Sequence, residues 1–326
     1  MASTVRDIHT EAHRAVLPDI TAGGPPSLPA LPVEKTLVHR ARLRDVLPTR
    51  LRRHDDTHFT VSVRRPRTHQ LFVSPDGRST ASMVLEAIRQ TTLLVSHAEL
   101  GVPLGHHFVM WDLCHRLDAE LPALPTEATP EDALTLDVHV VDLRRRGAVP
   151  ASAHLEMRLR TQGRLIGSGS IRFHITSPAA YSRIRGQLPG SGSAAALTSL
   201  TEPVEPSTVH HTRTCDVVLS PADGPGRWQL RADPRNELFF DRVNDHVPAM
   251  VLVEAAQQAA HLRFAPGRFV PSSSEMRFSR YVEFGAPCTV EAHPVAGADG
   301  TDSVSVTGHQ DGQLAFVVRF AGSVVR

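Results

Sequence analysis

Two glutamates sit in the most apolar stretches of this 326-residue chain: Glu86 within Met83-Val-Leu-Glu-Ala-Ile-Arg-Gln90, and Glu254 within Met250-Val-Leu-Val-Glu-Ala-Ala-Gln-Gln258. An unpaired charge among apolar neighbours is costly, so each carboxylate needs a partner or a task. Arg89 and Gln90 follow Glu86 by three and four residues, which on a helix puts all three on one face where they could converge on a ligand. Gln257 and Gln258 do the same for Glu254. Two readings stand side by side. In one, Glu86 and Arg89 form an ion pair that supports the helix; in the other, the carboxylate is a base or polar anchor beside a ligand cleft. A second candidate is Asn244-Asp-His-Val-Pro248, placed just before the second apolar stretch, where a helix N-terminus would offer free N–H groups and a positive dipole end. His246 could exchange protons there, or simply cap the helix. The matching place in the first half, Asp76-Gly77-Arg78, holds no histidine, so the two halves are not chemically equivalent.

Other chemistries lack their residues. The chain has no G-x-S-x-G elbow, no phosphate-binding G-x-x-x-x-G-K-[ST] loop, no G-x-G-x-x-G and no H-E-x-x-H. Its 19 histidines are scattered without ligand spacing, so neither a metal nor another cofactor is expected. Arginines cluster at Arg50, Arg52 and Arg53, at Arg64, Arg65 and Arg67, and at Arg144 to Arg146. Such clusters are either solvated surface or docking points for an acidic partner or phosphate groups, which guanidinium engages in bidentate geometry.

These side chains must be positioned by something, and a repeat supplies it. Residues 66–103 can be laid on 234–271 without gaps at an offset of 168, with seven identities that include Glu86/Glu254, Gln90/Gln258 and Phe72/Phe240. In each copy an apolar run without Gly or Pro, about 80–100 and about 249–264, predicts a helix buried on nearly all sides. Period-two segments follow at Phe108 to Leu113, Leu134 to Asp142, Ala153 to Arg160 and Ser170 to Ile175, and they predict half-buried antiparallel strands. Thr161-Gln-Gly-Arg-Leu165 and Gln310-Asp-Gly-Gln-Leu314 read as hairpin turns. The fold class expected is α+β, a double hotdog: two tandem units, each a long central helix wrapped by an antiparallel sheet. The boundaries expected are a flexible Pro-rich arm at 1–32, a first domain at 33–185, a Gly/Ser/Pro-rich linker at 186–208 and a second domain at 209–326.

Composition narrows the partners. With 35 Lys plus Arg against 34 Asp plus Glu, no global field draws the chain to nucleic acid or an anionic membrane. No stretch reaches the roughly 20 apolar residues of a membrane span. No signal-peptide core opens the chain, and Cys114, Cys215 and Cys288 have no disulfide-like spacing, so a cytoplasmic protein is expected.

Taken together, Val38-His39-Arg40, Pro66-Arg67-x-His69-x-Leu71-Phe72, Glu86-Ala-Ile-Arg89-Gln90 with His97 and Gly101-Val-Pro103, and the second Glu254-Ala-Ala-Gln-Gln258 resemble the A-factor biosynthesis hotdog family of γ-butyrolactone autoregulator synthases. The resemblance covers most of 33–326. It implies transfer of a β-ketoacyl group from an acyl carrier protein to dihydroxyacetone phosphate, and closure to a phosphorylated butenolide. Carried over, Glu86 and Glu254 match the functional glutamates and, with His246, are the expected catalytic residues. Arg89, Gln90, Gln257, Gln258 and Arg67 are expected to bind substrate. Gln257 departs from the pattern, standing where the family has a second arginine. Two alternatives remain: a hotdog thioesterase or hydratase using His246 with a carboxylate, of which Asp241-x-x-Asn-x-His246 is a loose echo, and a non-catalytic acyl or lactone binder. Hotdog units work in pairs, which the repeat could supply within one chain, and a homodimer is left open.

Overall fold

The computed structural model describes residues 33–74, 76–118, 134–186, 200–242, 244–296 and 301–325. The arm expected at 1–32, the proline-bearing loop at 121–130 and most of the 186–208 linker lie outside them. The first half contributes β1 (Pro48–Arg53), β2 (His58–Val63), α1 (Ala81–Ala98), β3 (His107–Leu117), β4 (Leu134–Arg146), β5 (Val149–Thr161), β6 (Arg164–Thr176) and α2 (Pro178–Arg185). The second contributes β7 (Leu219–Pro221), β8 (Arg227–Leu230), α3 (Ala249–Phe264), β9 (Arg268–Phe278), β10 (Cys288–Val295), β11 (Asp302–Gln310) and β12 (Gln313–Val325).

All strands join one antiparallel sheet in the order β1-β2-β4-β5-β6-β3-β9-β12-β11-β10-β8-β7, six from each half. The halves meet at β3 and β9, where Asp112 faces Arg277 and His115 faces Ser274. The β5–β6 and β11–β12 hairpins turn through Gln162-Gly163 and Asp311-Gly312, all four at positive φ, the backbone that matches the right-handed twist of paired strands. No helix among the described residues is long and apolar enough to cross a membrane.

Each long helix lies against its own half of the sheet. In α1, Met83, Val84, Leu85, Ala87, Ile88 and Val95 are fully buried, each large side chain worth about 1.5–3 kcal/mol of burial. Gly169 of β6 lets α1 approach closely, since a Cβ there would stand 2.5 Å from Ile88 Cδ1.

The repeat extends beyond the helix. A 3-10 turn at Lys35–Val38 ends in left-handed His39, and one at Pro206–Val209 ends in left-handed His210. Gln90 accepts from Leu47 N and donates to Asp45 O, both at 2.8 Å; Gln258 accepts from Val218 N at 2.9 Å and donates to Asp216 O at 2.8 Å. These buried amides pin the chain entering each half to its helix. The correspondence is not gapless, however. His69 Nδ1 accepts from Leu71 N and Phe72 N, whereas Asn236 Oδ1 accepts from Leu238 N and Phe239 N. Phe72 therefore corresponds to Phe239, not Phe240, and one residue is absorbed before the helix. The second half also reaches back into the expected linker: Thr201 O accepts from Arg231 Nε at 2.9 Å and Val204 N donates to Leu219 O at 3.0 Å.

Candidate active site

The Glu86 side chain is 1% exposed and meets three donors. Arg40 approaches through Nε at 3.1 Å and Nη2 at 2.5 Å, Arg89 through Nε at 2.9 Å and Nη2 at 2.8 Å, and Gln90 through Nε2 at 2.6 Å. Burial disfavours the charge, but Arg40 and Arg89 outweigh it and hold the carboxyl down at about 2. Both oxygens are occupied by guanidinium and amide, and Glu86 does not line the cavity beside it. The carboxylate expected as a base is thus a counterion that fixes two arginines. Arg40 ties this cluster to the second half, donating to Leu238 O at 2.5 Å, while Asp241 Oδ2 accepts from Ala41 N at 3.1 Å.

In front of Arg40 and Arg89 opens a cavity of about 740 Å³. Its wall takes α1 and β3 from the first half and residues 238–239, 241–242, 244–250 and 278–282 from the second, so neither half encloses it alone. That wall mixes apolar side chains, Leu93, Phe108, Phe173, Leu252 and Phe278, with polar ones, His39, Arg89, Arg242 and His246.

His246 is oriented by its own neighbour. Its Nδ1 lies 2.7 Å from Asp245 Oδ1, and Asp245 in turn accepts from Tyr181 Oη at 3.0 Å and Arg185 Nε at 2.9 Å. Burial opposes that charge, yet His246 and Arg185 hold the Asp245 carboxyl well below the usual range. Arg185 also grips Glu283 with both amino nitrogens, at 2.7 and 2.8 Å. With Nδ1 committed, Nε2 is the nitrogen left to the cavity, the arrangement of a general base held by a carboxylate. Two residues on, α3 starts at Pro248 with no side-chain cap, and Ala249 and Met250, its first two residues, line the cavity. Helix starts of this kind leave N–H groups that can bind a developing oxyanion.

The other polar residues of the wall have their own arrangement. Within the described residues the Arg242 guanidinium makes no hydrogen bond or ion pair. Partial desolvation and the neighbouring Arg89 lower its pKa, so an anion placed between the two would be stabilised. His97 donates from Nδ1 to Val102 O at 2.8 Å, which leaves its Nε2 to accept from His39 Nε2 at 2.8 Å. Burial, then Arg242 and Arg89, pull His39 down to about 2, and burial lowers His97 as well.

The repeat generates a second, much smaller cavity of about 110 Å³, formed by α3 and the residues preceding α1. Here Glu254 accepts from His211 Nε2 at 2.8 Å, Gln258 Nε2 at 3.0 Å and Ser82 Oγ at 3.1 Å. His211 occupies the place of Arg40 and Gln257 that of Arg89, with Gln257 donating to Ser82 Oγ at 2.9 Å. The start of α1 is closed by Thr80, whose Oγ1 accepts from Met83 N. Volume, free helix start and oriented histidine all fall on the other cavity.

Of the expected residues, Arg89 and His246 meet in the large cavity, while Glu254 and Gln257 border the small one. Gln90 and Gln258 are buried anchors of the backbone. Arg67 is exposed and lines neither cavity, because its loop is directed outward after buried Arg65. Sequence reasoning passed over Arg40, Tyr181, Arg185, Arg242 and Asp245. For Asp245 a signal existed, since it adjoins His246; Arg40 and Arg242 reach the site only through long-range packing.

Comparisons with known proteins place the whole chain. The model of the A-factor biosynthesis hotdog domain matches residues 25–177 and 192–325. The chain is 40% identical over 285 residues to a 2-oxo-3-(phosphooxy)propyl 3-oxoalkanoate synthase of Streptomyces virginiae, covering 87% of this chain and 95% of that protein. It is 38% identical over 295 residues to a synthase of the same name from Streptomyces coelicolor, covering 90% and 92%. Among solved structures, one described as an oleoyl thioesterase from Lactobacillus plantarum superposes with a TM-score of 0.50 at 12% identity, over 83% of this chain and 96% of that one, a likeness of fold alone.

Proposed function

The chain belongs to the A-factor biosynthesis hotdog family, and from that premise we propose that it is a 2-oxo-3-(phosphooxy)propyl 3-oxoalkanoate synthase built as a double hotdog, α1 and α3 being the central helices. A 3-oxoacyl thioester, carried on acyl carrier protein, meets the free hydroxyl of dihydroxyacetone phosphate. The hydroxyl oxygen bonds to the thioester carbonyl carbon, the carbon–sulfur bond breaks, and the hydroxyl proton passes to the departing thiolate by way of a base. The product is the phosphorylated ester and free carrier thiol. Closure follows when the acidic methylene between the two acyl carbonyls attacks the dihydroxyacetone ketone and water is lost, giving a butenolide phosphate.

The observation that carries this reading is the composite cavity, whose wall holds His246, the uncapped start of α3, Arg89 and Arg242, the last without a side-chain partner among the described residues. His246 takes the hydroxyl proton, with Asp245 stabilising the imidazolium. The Ala249 and Met250 N–H groups receive the oxyanion. Arg242 and Arg89 hold the phosphate, and Glu86 fixes Arg89 in place. The apolar side chains of the wall, Leu93, Phe173, Leu252 and Phe278 among them, take the acyl chain. Glu254 and Gln257 border the smaller cavity and serve the architecture of the second half.

A thioesterase reading has one observation in its favour, since the same His246–Asp245 pair could activate water. Incubation with a 3-oxoacyl carrier thioester, with and without dihydroxyacetone phosphate, separates the two by mass spectrometry. We expect thiol release to require the acceptor and to match formation of the phosphorylated ester. Release of free 3-oxo acid at the same rate without acceptor would overturn the transferase reading.

A further inference from the structure

The mouth of the large cavity has a surface unlike the rest of its wall. Leu104 and Trp111 line the cavity and yet are 59% and 48% exposed. Trp111 is the residue bulged out of β3 between Met110 and Asp112, and its ring stacks on His174 of β6 at 4.0 Å, so it is held flat against the sheet. A large, pre-oriented aromatic ring at an opening is the type of side chain that anchors protein interfaces.

Guanidiniums surround it. Asp112, next to Trp111, lies between Arg172 of β6 and Arg277 of β9, each with Nε 3.7 Å from the carboxylate and most of its side chain in water. Arg144 of β4 is in register with Ser152 of β5, which in turn pairs with His174, and its guanidinium lies 3.4 Å from Asp142. Arg280 lines the mouth and is exposed. These four arginines outnumber the carboxylates paired with them, Asp112 and Asp142, on a chain whose net charge is +1. Exposed pairs at such distances hold their partners weakly, so the guanidiniums are free to re-pair.

We propose that this rim, Trp111 with Arg144, Arg172, Arg277 and Arg280, is the docking surface for an acidic carrier domain that feeds its thioester arm through the mouth. The assignment rests on the carrier-borne donor proposed above. It selects one of the chain's exposed basic regions, since Arg50, Arg52 and Arg53 lie on and around the outermost strand β1 and line neither cavity. Charges at an interface rim act mainly on encounter rate and salt dependence.

The test compares one acyl group on two carriers, an acidic acyl carrier protein and free pantetheine, in wild type, Arg172→Glu/Arg277→Glu and the milder Arg172→Gln/Arg277→Gln. For the carrier protein we expect KM to rise about tenfold or more in the reversal variant and less in the neutral one, kcat at saturation to change little, and the salt dependence to flatten. For the pantetheine thioester KM should stay within about twofold of wild type. Titration of the unloaded carrier by calorimetry should show the same loss of affinity without turnover. Arg50→Glu/Arg52→Glu should leave carrier affinity unchanged. Unaltered carrier affinity in the Arg172/Arg277 variants, or an equal loss in the Arg50/Arg52 variant, overturns the docking surface. Absence of phosphorylated product from either thioester in wild type counts instead against the transferase reading, and calorimetry still decides the docking.

Discussion

His211 Nε2 lies 2.8 Å from Glu254 Oε1, at the position where the other half sets Arg40 against Glu86. Two buried carboxylates thus share one scaffold but have counterions of different kinds. Guanidinium stays charged throughout the accessible pH range, whereas imidazole does not.

The difference predicts opposite limbs in a stability profile. Glu86, held at about 2 against an ordinary 4.5, contributes stability that is complete above pH 4.5 and lost as pH falls toward 2, on the order of 3 kcal/mol. For His211, burial works against the charge but Glu254 raises its pKa overall. Its contribution is therefore complete below the ordinary histidine value and lost as pH climbs through the raised one. Urea midpoints measured from pH 3 to 9 should show both limbs, and His211→Asn should flatten the upper one. An unchanged alkaline decline in that variant would mean that the pair does not titrate.

Glu86→Gln should lower stability as well as activity. Removing the charge leaves Arg40 buried with less compensation, a loss of about 3–5 kcal/mol for a pair of this type. Thermal unfolding and turnover, measured together, check this. Activity lost at an unchanged Tm would return Glu86 to the role of a base.

Gln257→Arg should bring no gain in turnover, because Gln257 borders the small cavity and donates to Ser82 Oγ there. A kcat/KM within about twofold of wild type is expected for folded enzyme, since Gln257 lies away from the proposed reacting atoms and contributes nothing made only in the transition state. A marked rise would show that the small cavity takes part in the reaction.

Asp245→Asn and Arg242→Ala should divide the kinetic parameters. The first removes the orienting charge from His246 and should lower kcat by about 10²–10⁴. The second should act chiefly on the KM for dihydroxyacetone phosphate, since an exposed guanidinium that binds phosphate in ground and transition state alike contributes uniform binding. Single-turnover and steady-state assays separate the two effects, and a fall in kcat alone for Arg242→Ala would argue against phosphate binding.

Much of the scaffold was legible in the residues. The Gly- and Pro-free apolar runs gave α1 and α3, and period-two patterns gave the strands that follow α1, because both signals are local; β9 and β10 after α3 were not read. The strands that precede each long helix were missed: β7 and β8 are three and four residues long, and Arg-rich β1 hides its alternation. Within the site, Glu86 stood out as a charge in an apolar run, but its decisive partner Arg40 is 46 residues away, beyond any helical spacing. Nor could sequence rank the two cavities, since each is walled by residues of both halves that lie far apart in the chain. Arg67 shows the converse error, a charged residue inside a recognisable motif that the backbone directs to solvent.

The seam between β3 and β9 makes two structural copies one molecule, and that has an evolutionary consequence. In a symmetric pair of identical chains, every substitution appears at both sites, so neither can change alone. Here Arg40 and His211 can differ, one cavity can widen while its twin closes, and one helix start can stay open while the other acquires a threonine cap. Specialisation of a single site on a two-fold scaffold requires that the copies be encoded separately yet fold together, which a duplicated gene in one reading frame provides.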